Sequence, residues 1–384
     1  MEANFTDELF DEMMESNITS SNLTILGQPD YVLHTELICN RYLMPIICSI
    51  GIVGNLLSLV VLTRREMVTA TNCFLTGLGV SDLCLLLVQI PAFFELNSQL
   101  KHSPEFLIIF RHYVICRYVF TNIFITCTCW ITVAVTVERC ISLCFLMHAR
   151  MTCTIPRAKQ AIVVIYVASF IFHFSKFFEY TPNMDVTSPR NVNYTSLVLN
   201  KAYETYVHIS TIMLAAIIPV FLLIIFNSFL IFFLSTHRRR MARRSYNTSS
   251  MSSVDMMHIS LIVVTMVLVF IICHSIGVFL AMTIAINGRP AVFANPLFVS
   301  FKYINNLLVM FNSSINFLLY CAISKKFRTT FMTVFLGKLL GKKTSWSYKS
   351  SVTEQSLSTK IPVTNFVSQS TSSSSNKSGD HSQM

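Results

Sequence analysis

The sequence predicts an all-α membrane protein, a seven-transmembrane helix bundle followed by a short amphipathic helix. Three observations point there. Of 384 residues, 53% are hydrophobic and only 12% are charged, with a mean hydropathy of +0.57, far from the balance of a soluble globular domain. Apolar runs of spanning length recur seven times, at about 42–63, 73–95, 107–143, 158–181, 205–236, 257–287 and 296–323. The charge is polarised: residues 1–40 hold no Lys or Arg but eight acids, among them Asp7, Glu15, Asp30 and Glu36. The net charge of +10 therefore describes the rest of the chain and implies membrane topology rather than a nucleic-acid partner.

A helix rises 1.5 Å per residue, so each run crosses about 30 Å of hydrocarbon, and the longer ones tilt or project beyond it. The acidic, polar first 30 residues do not resemble a cleavable leader, so the first span is expected to act as its own insertion signal. Short loops rich in cations stay cytoplasmic. Arg64 and Arg65 follow the first span, Arg157 and Lys159 the third, Arg238, Arg239, Arg240, Arg243 and Arg244 the fifth, and Lys325, Lys326 and Arg328 the seventh. These put the N-terminus outside and the C-terminus inside at the plasma membrane. The glycosylation sequons at Asn4, Asn17, Asn22 and Asn193 then fall outside, while those at Asn247, Asn312 and Asn376 would be cytoplasmic or buried in the seventh helix and so not modified.

The expected organisation is an extracellular glycosylated acidic tail over 1–40, a seven-span domain over 41–323, an amphipathic helix over 324–340 and a cytoplasmic tail over 341–384. In the third segment Phe327, Phe331 and Phe335 form one apolar stripe at helical spacing with cations beside it, which suits the inner leaflet. Residues 344–384 include 19 Ser or Thr, a composition that cannot build a core and reads as disordered.

Polar residues inside the spans carry the functional signal. Asp82 lies within LGVSDLCLLL, and a carboxylate at that depth is expensive unless it does something. Its candidate partners are Asn55, Thr128, Asn312, Ser313 and Asn316, a set suited either to an interhelical polar knot or to a small cation. The third span ends in WITVAVTVERCISL, placing Glu138 and Arg139 at the interface. An isolated arginine there would simply snorkel to headgroups. Transporters show internal repeats and Gly/Pro-broken helix pairs, and enzymes show paired metal ligands, nucleophile elbows or phosphate loops; the chain has none of these patterns, so neither an ion-coupled transporter or channel nor an enzyme is favoured.

Taken jointly, these residues resemble the rhodopsin-like (class A) G-protein-coupled receptors over about residues 40–330. The matching positions are Gly54–Asn55, Ser81–Asp82, Glu138–Arg139–Cys140, Pro219 and Asn316-Phe317-x-x-Tyr320. FIICHSIG, NSSINFLLYC and SKKFR are similar to invertebrate FMRFamide and myosuppressin-type neuropeptide receptors. The resemblance implies that Glu138 holds Arg139 until the sixth helix swings outward, that Tyr320 packs inward on activation, and that Met147 enters a heterotrimeric G protein. It also implies an allosteric Na+ at Asp82, lined by Thr128, Asn312, Ser313 and Asn316, with no other cofactor. Receptor kinases and arrestin would act on the Ser/Thr-rich tail.

Departures from the family pattern are equally informative. His274 and Ile276 stand where the sixth helix usually has Trp and Pro, leaving His274 as a toggle or as an interhelical histidine. The usual disulfide from the third helix to the loop before the fifth cannot form, because residues 154–272 contain no Cys. A Cys39–Cys116 bridge is the remaining extracellular option beside free thiols, and the loop of about 182–204 is expected to be unusually mobile. Thr121 and Asn122 stand where amine receptors carry Asp, which disfavours amine ligands. Glu95, Glu179, Glu204, Arg117, Lys302, Phe301 and Tyr206 are the remaining pocket candidates. The acids would suit the guanidinium of an Arg-Phe-amide peptide and the aromatics its phenyl ring, whereas Arg117 and Lys302 would suit an acidic metabolite in a chemoreceptor of the same fold.

Overall fold

The computed structural model describes residues 29–96, 103–145, 149, 151–185, 191–243 and 251–337. Among them are seven helices long and apolar enough to cross a membrane. We number them α1 (Asp30–Leu62), α2 (Ala70–Gln89, continued by a 3-10 turn Ile90–Leu96), α3 (Pro104–Cys144) and α4 (Ile155–His173, continued by Phe174–Phe178). Next come α5 (Lys201–Ile212, a π-helical turn Met213–Ile217, then Ile218–Arg243), α6 (Met251–Asn287) and α7 (Pro296–Ile323). A further helix, α8 (Lys325–Phe331), ends in the π turn Met332–Leu336, and β1 (Tyr180–Pro182) pairs antiparallel with β2 (Val192–Tyr194) between α4 and α5. All these elements belong to one compact unit that ends at Leu336.

Local sequence explains where the helices begin. Thr69, Ser103, Asn200, Asn295 and Ser324 each cap the following helix, their side-chain oxygens accepting backbone N–H groups that would otherwise lack partners. Pro104 and Pro296 occupy the first helical position, where a missing N–H costs nothing. The first helix starts ahead of the expected boundary at 42, because Asp30–Glu36 form a turn whose Val32 packs, with Cys39, against Tyr303 of α7.

Lipid is as apolar as leucine, so close packing and polar contacts rather than the hydrophobic effect hold these helices together. α3 runs through the middle: its Ile123, Cys127, Ile131 and Val135 meet Leu75 and Leu78 of α2, Leu223 of α5 and Met266 and Phe270 of α6 in the main core. Glycines permit the closest approaches. A Cβ at Gly51 would lie 2.2 Å from Ser314 Oγ and 2.7 Å from Leu86 Cδ1. Gly51→Ala is therefore expected to destabilise the bundle by ~1–3 kcal/mol through overpacking, read as a lower unfolding temperature of the detergent-solubilised protein.

Two features of this architecture are more specific than the sequence implies. The aromatic stripe of α8 does not simply face lipid: Phe327 is 1% exposed, and its ring lies 5.4 Å from Tyr320 and 6.1 Å from Phe317. Phe331 is 5.6 Å from the same Phe317. Phe317 fills the space over Gly54 and gives α8 a surface to fold back upon. The loop after α4 also carries a strand pair where it is described. β1 and β2 pair Tyr180 with Tyr194, Thr181 with Asn193 and Pro182 with Val192, and Tyr180 and Val192 pack on Phe110, Val114 and Ile115 of α3.

Candidate functional site

Three polar clusters lie along the bundle. At the end where α3 finishes, Arg139 is 7% exposed and fully occupied by its neighbour. Its Nε donates to Glu138 Oε2 at 2.7 Å and its Nη2 to Glu138 Oε1 at 2.6 Å. Glu138 also accepts from Thr71 Oγ1 of α2 at 2.9 Å and from Ser142 Oγ, one turn on, at 3.0 Å. A bidentate, charge-assisted pair with both carboxylate oxygens doubly satisfied is strong. Ser142 lies at i+4 from Glu138 and so is readable from helical spacing, whereas Thr71, 67 residues away, has no sequence signature.

Beside this pair, Tyr320 is 2% exposed and its hydroxyl has no hydrogen-bond partner. It lines a cavity formed with Leu62, Asn72, Ile262, Lys325 and Phe327, its empty volume about 530 Å³ including the open mouth. A buried phenol without a partner is costly in this position. Met147 lies outside the described residues, as do the side chains of Arg238, Arg239 and Arg240.

Midway along the bundle Asp82 is fully buried. Its Oδ1 accepts from Thr128 Oγ1 of α3 at 3.1 Å and its Oδ2 from Asn316 Nδ2 of α7 at 2.6 Å. Asn55 Nδ2 of α1 donates to Ser313 O of α7 at 2.8 Å and to Gly51 O at 2.9 Å, and its Oδ1 is buried without a partner. Asn312 and Ser313 are buried on the same helix. Four helices are thus linked through one carboxylate, two amides and hydroxyls. An oxygen-rich set with a single carboxylate and an unsatisfied amide oxygen nearby fits a small hard cation.

The third cluster is at the opposite end, under the hairpin. Glu179, 4% exposed, accepts from Tyr118 Oη of α3 at 3.1 Å and from Tyr203 Oη of α5 at 3.1 Å. Lys176 Nζ donates to Tyr118 Oη at 3.2 Å and stands 5.2 Å over the same ring. Burial raises the Tyr203 phenol above its usual value; the Ser175 hydrogen bond opposes this and the Glu179 charge adds to it, so Tyr203 remains a neutral donor. Neither tyrosine is evident from sequence, although Tyr118 lies two turns from Arg111 on one face of α3.

The other pocket candidates are more dispersed. Thr121 accepts from Gln89 Nε2 of α2 at 3.0 Å and so ties α3 to α2, whereas Asn122 donates to Tyr118 O within its own helix at 2.8 Å. Arg117 stands 6.0 Å over the Tyr113 ring and Lys302 5.8 Å over the Phe293 ring, cations resting on aromatic faces. Phe301 meets Phe279 and Phe298, each at 6.2 Å, while Tyr206 is exposed. His274 stacks on Phe270 at 3.9 Å and is bonded through Nδ1 to Phe270 O at 3.0 Å, both within one helix. The side chains of Glu95 and Glu204, and the sequons at Asn4, Asn17 and Asn22, lie outside the described residues; Asn193 is exposed on β2. The Cys39–Cys116 bridge is corrected: both are free thiols, Cys39 buried against α7 and Cys116 exposed on α3.

Comparison with known proteins agrees with this arrangement. The chain is 26% identical over 350 residues to the sex peptide receptor of Drosophila melanogaster, covering 87% of this chain and 80% of that one. It is 27% identical over 320 residues to the FMRFamide receptor of the same fly, covering 78% and 54% respectively. An FMRFamide peptide receptor of Caenorhabditis elegans is 27% identical over 303 residues, 75% of this chain and 67% of that one. The family model for the serpentine type 7TM GPCR chemoreceptor Srw matches residues 42–338. Seven spanning helices, a bonded Glu–Arg pair at the end of α3, a buried Asp joining α2, α3 and α7, and this match together mean that the chain belongs to that family of serpentine G-protein-coupled receptors.

Proposed function

We propose that the chain is a plasma-membrane receptor that binds an extracellular neuropeptide of the Arg-Phe-amide type and activates a heterotrimeric G protein. The observation that carries the ligand class is the buried Glu179 carboxylate, which accepts from phenols on α3 and α5. A peptide guanidinium would replace those phenol-to-carboxylate bonds with a bidentate ion pair, adding a direct charge–charge attraction in a buried site. Because the phenols belong to different helices, that exchange alters the α3–α5 linkage, giving the agonist the differential contact between states that a switch requires. Relatives matching three quarters or more of the chain are named for peptides, which supports the same reading.

Lys and Arg distribution supports an outside N-terminus, with the hairpin and Glu179 facing the ligand and Arg139 facing the G protein. In that orientation Asn4, Asn17, Asn22 and Asn193 are glycosylation acceptors, and the Ser/Thr-rich tail is a substrate for receptor kinases and then arrestin. Agonist binding releases Arg139 from Glu138, the cavity beside Tyr320 widens, and Met147 and the α8 lysines meet the G protein. Asp82, Thr128 and Ser313, with Asn55 nearby, would hold Na+, which supplies a positive charge that favours the resting arrangement. The acidic-metabolite reading is not favoured, since the cations it needs, Arg117 and Lys302, rest on Tyr113 and Phe293.

Glu179→Gln is expected to raise the half-maximal concentration for amidated Arg-Phe peptides by about 10- to 100-fold, the loss of one charge-assisted contact. Calcium and cyclic-nucleotide responses in expressing cells measure it. A response to organic acids that falls in Arg117→Ala and Lys302→Ala and is untouched in Glu179→Gln would overturn the peptide reading.

A further inference from the structure

We propose that Arg111 is a positioning residue that clamps the β1–β2 hairpin onto α3 and so sets where Glu179 presents its carboxylate. The guanidinium is 1% exposed, among the most deeply buried side chains in the molecule. Its Nη1 donates to two backbone carbonyls just beyond β1, Asn183 O at 2.5 Å and Asp185 O at 2.8 Å. The residues that carry those carbonyls are themselves held: Asn183 N donates to Asn191 O at 3.1 Å, extending the strand ladder, and Asp185 N donates to Asn183 Oδ1 at 3.0 Å. A buried cation needs such partners, and buried carbonyls need donors, so each side of the contact requires the other.

The same face of α3 does the rest. Phe110, Val114 and Ile115 lie against Tyr180, Val192 and Val198, and Tyr118, two turns on from Arg111, donates to Glu179. At the other end of the hairpin Thr195 closes the base, its N–H donating to Glu179 O at 3.2 Å and its hydroxyl to Phe178 O at 2.7 Å. The strand segment that begins at Glu179 is thus pinned to α3 at two places, polar at each end and apolar between. With every cysteine of the described residues a free thiol, no covalent link does this work. Arg111 never approaches the ligand; it acts by fixing the hairpin, and its effect on ligand potency rests on the reading of Glu179 given above.

The test compares wild type, Arg111→Ala and Arg111→Lys as full-length receptor in lipid nanodiscs by hydrogen–deuterium exchange, beside signalling assays with the peptide Phe-Met-Arg-Phe-amide. Arg111→Ala is expected to speed exchange across 191–195 by about tenfold while α2 and α7 exchange at the wild-type rate. Peptide potency should fall by a similar factor with the maximal response intact, and Arg111→Lys, which keeps the charge but not the planar fork, should fall between. Unchanged exchange in the hairpin, or an equal rise throughout the bundle, would overturn the clamp. If Arg111→Ala does not express, Arg111→Lys decides by the same exchange pattern. A wild-type receptor silent to the peptide would count against the ligand reading alone, because the exchange difference needs no ligand.

Discussion

Glu138→Gln is expected to signal without agonist, its basal output several-fold above wild type. In the structure Glu138 accepts four hydrogen bonds, two from Arg139 and one each from Thr71 and Ser142. Glutamine keeps the shape but loses the charge and one acceptor, so the hold on Arg139 weakens more than the fold does. A loss of ~1–2 kcal/mol from the resting state shifts a two-state equilibrium by about 5- to 30-fold. Glu138→Ala goes further. It strands a buried guanidinium, and removing one partner of a buried pair costs ~3–5 kcal/mol, so this variant should also unfold at a lower temperature and reach the surface poorly. Basal cyclic-nucleotide and calcium levels, normalised to surface receptor, measure the first effect, and thermal unfolding measures the second. Basal output at the wild-type level in Glu138→Gln would mean that the pair is a structural clasp rather than a switch.

Asp82→Ala should be the most damaging single change within the bundle. The Thr128 hydroxyl and Asn316 amide both donate to Asp82, and each buried donor left unpaired costs ~1–3 kcal/mol. Surface expression is expected to collapse. Asp82→Asn retains the bonding capacity without the charge, and so separates packing from ion binding. Wild-type protein should unfold at a higher temperature in NaCl than in choline chloride, by the mass-action stabilisation of a bound ion, while Asp82→Asn should unfold at one temperature in both salts. Equal salt sensitivity in the two proteins would remove Na+ from this site and leave a polar knot between helices.

How much of this the sequence reveals depends on the physics involved. Spanning helices must satisfy their backbone internally in lipid, so length and hydropathy alone place six of the seven within a few residues of their observed limits. The exception is α1, whose first turns Asp30–Glu36 are polar enough to read as tail and become helical by packing Val32 and Cys39 on Tyr303. The hairpin is illegible for a different reason: its strands are three residues each, too short for a period of two to register. Asp82 and the Glu138–Arg139 pair stand out because charge at membrane depth is expensive. Tyr118, Tyr203, Thr71 and Arg111 do not, since their partners are distant in sequence and, for Arg111, are backbone carbonyls that leave no side-chain pattern. The α8 stripe of Phe327, Phe331 and Phe335 has the right periodicity but an ambiguous meaning: lipid and the aromatic face offered by Phe317 are equally apolar, and only the fold chooses between them.

The most direct test of the receptor reading is agonist-dependent G-protein activation. Cells expressing the chain should be challenged with a panel of C-terminally amidated Arg-Phe peptides, beside a panel of organic acids, with Arg139→Ala at matched surface level as control. The expected result is a calcium or cyclic-nucleotide response to at least one amidated peptide that is lost in Arg139→Ala. A response to acids alone, or a peptide response undiminished in Arg139→Ala, would contradict it.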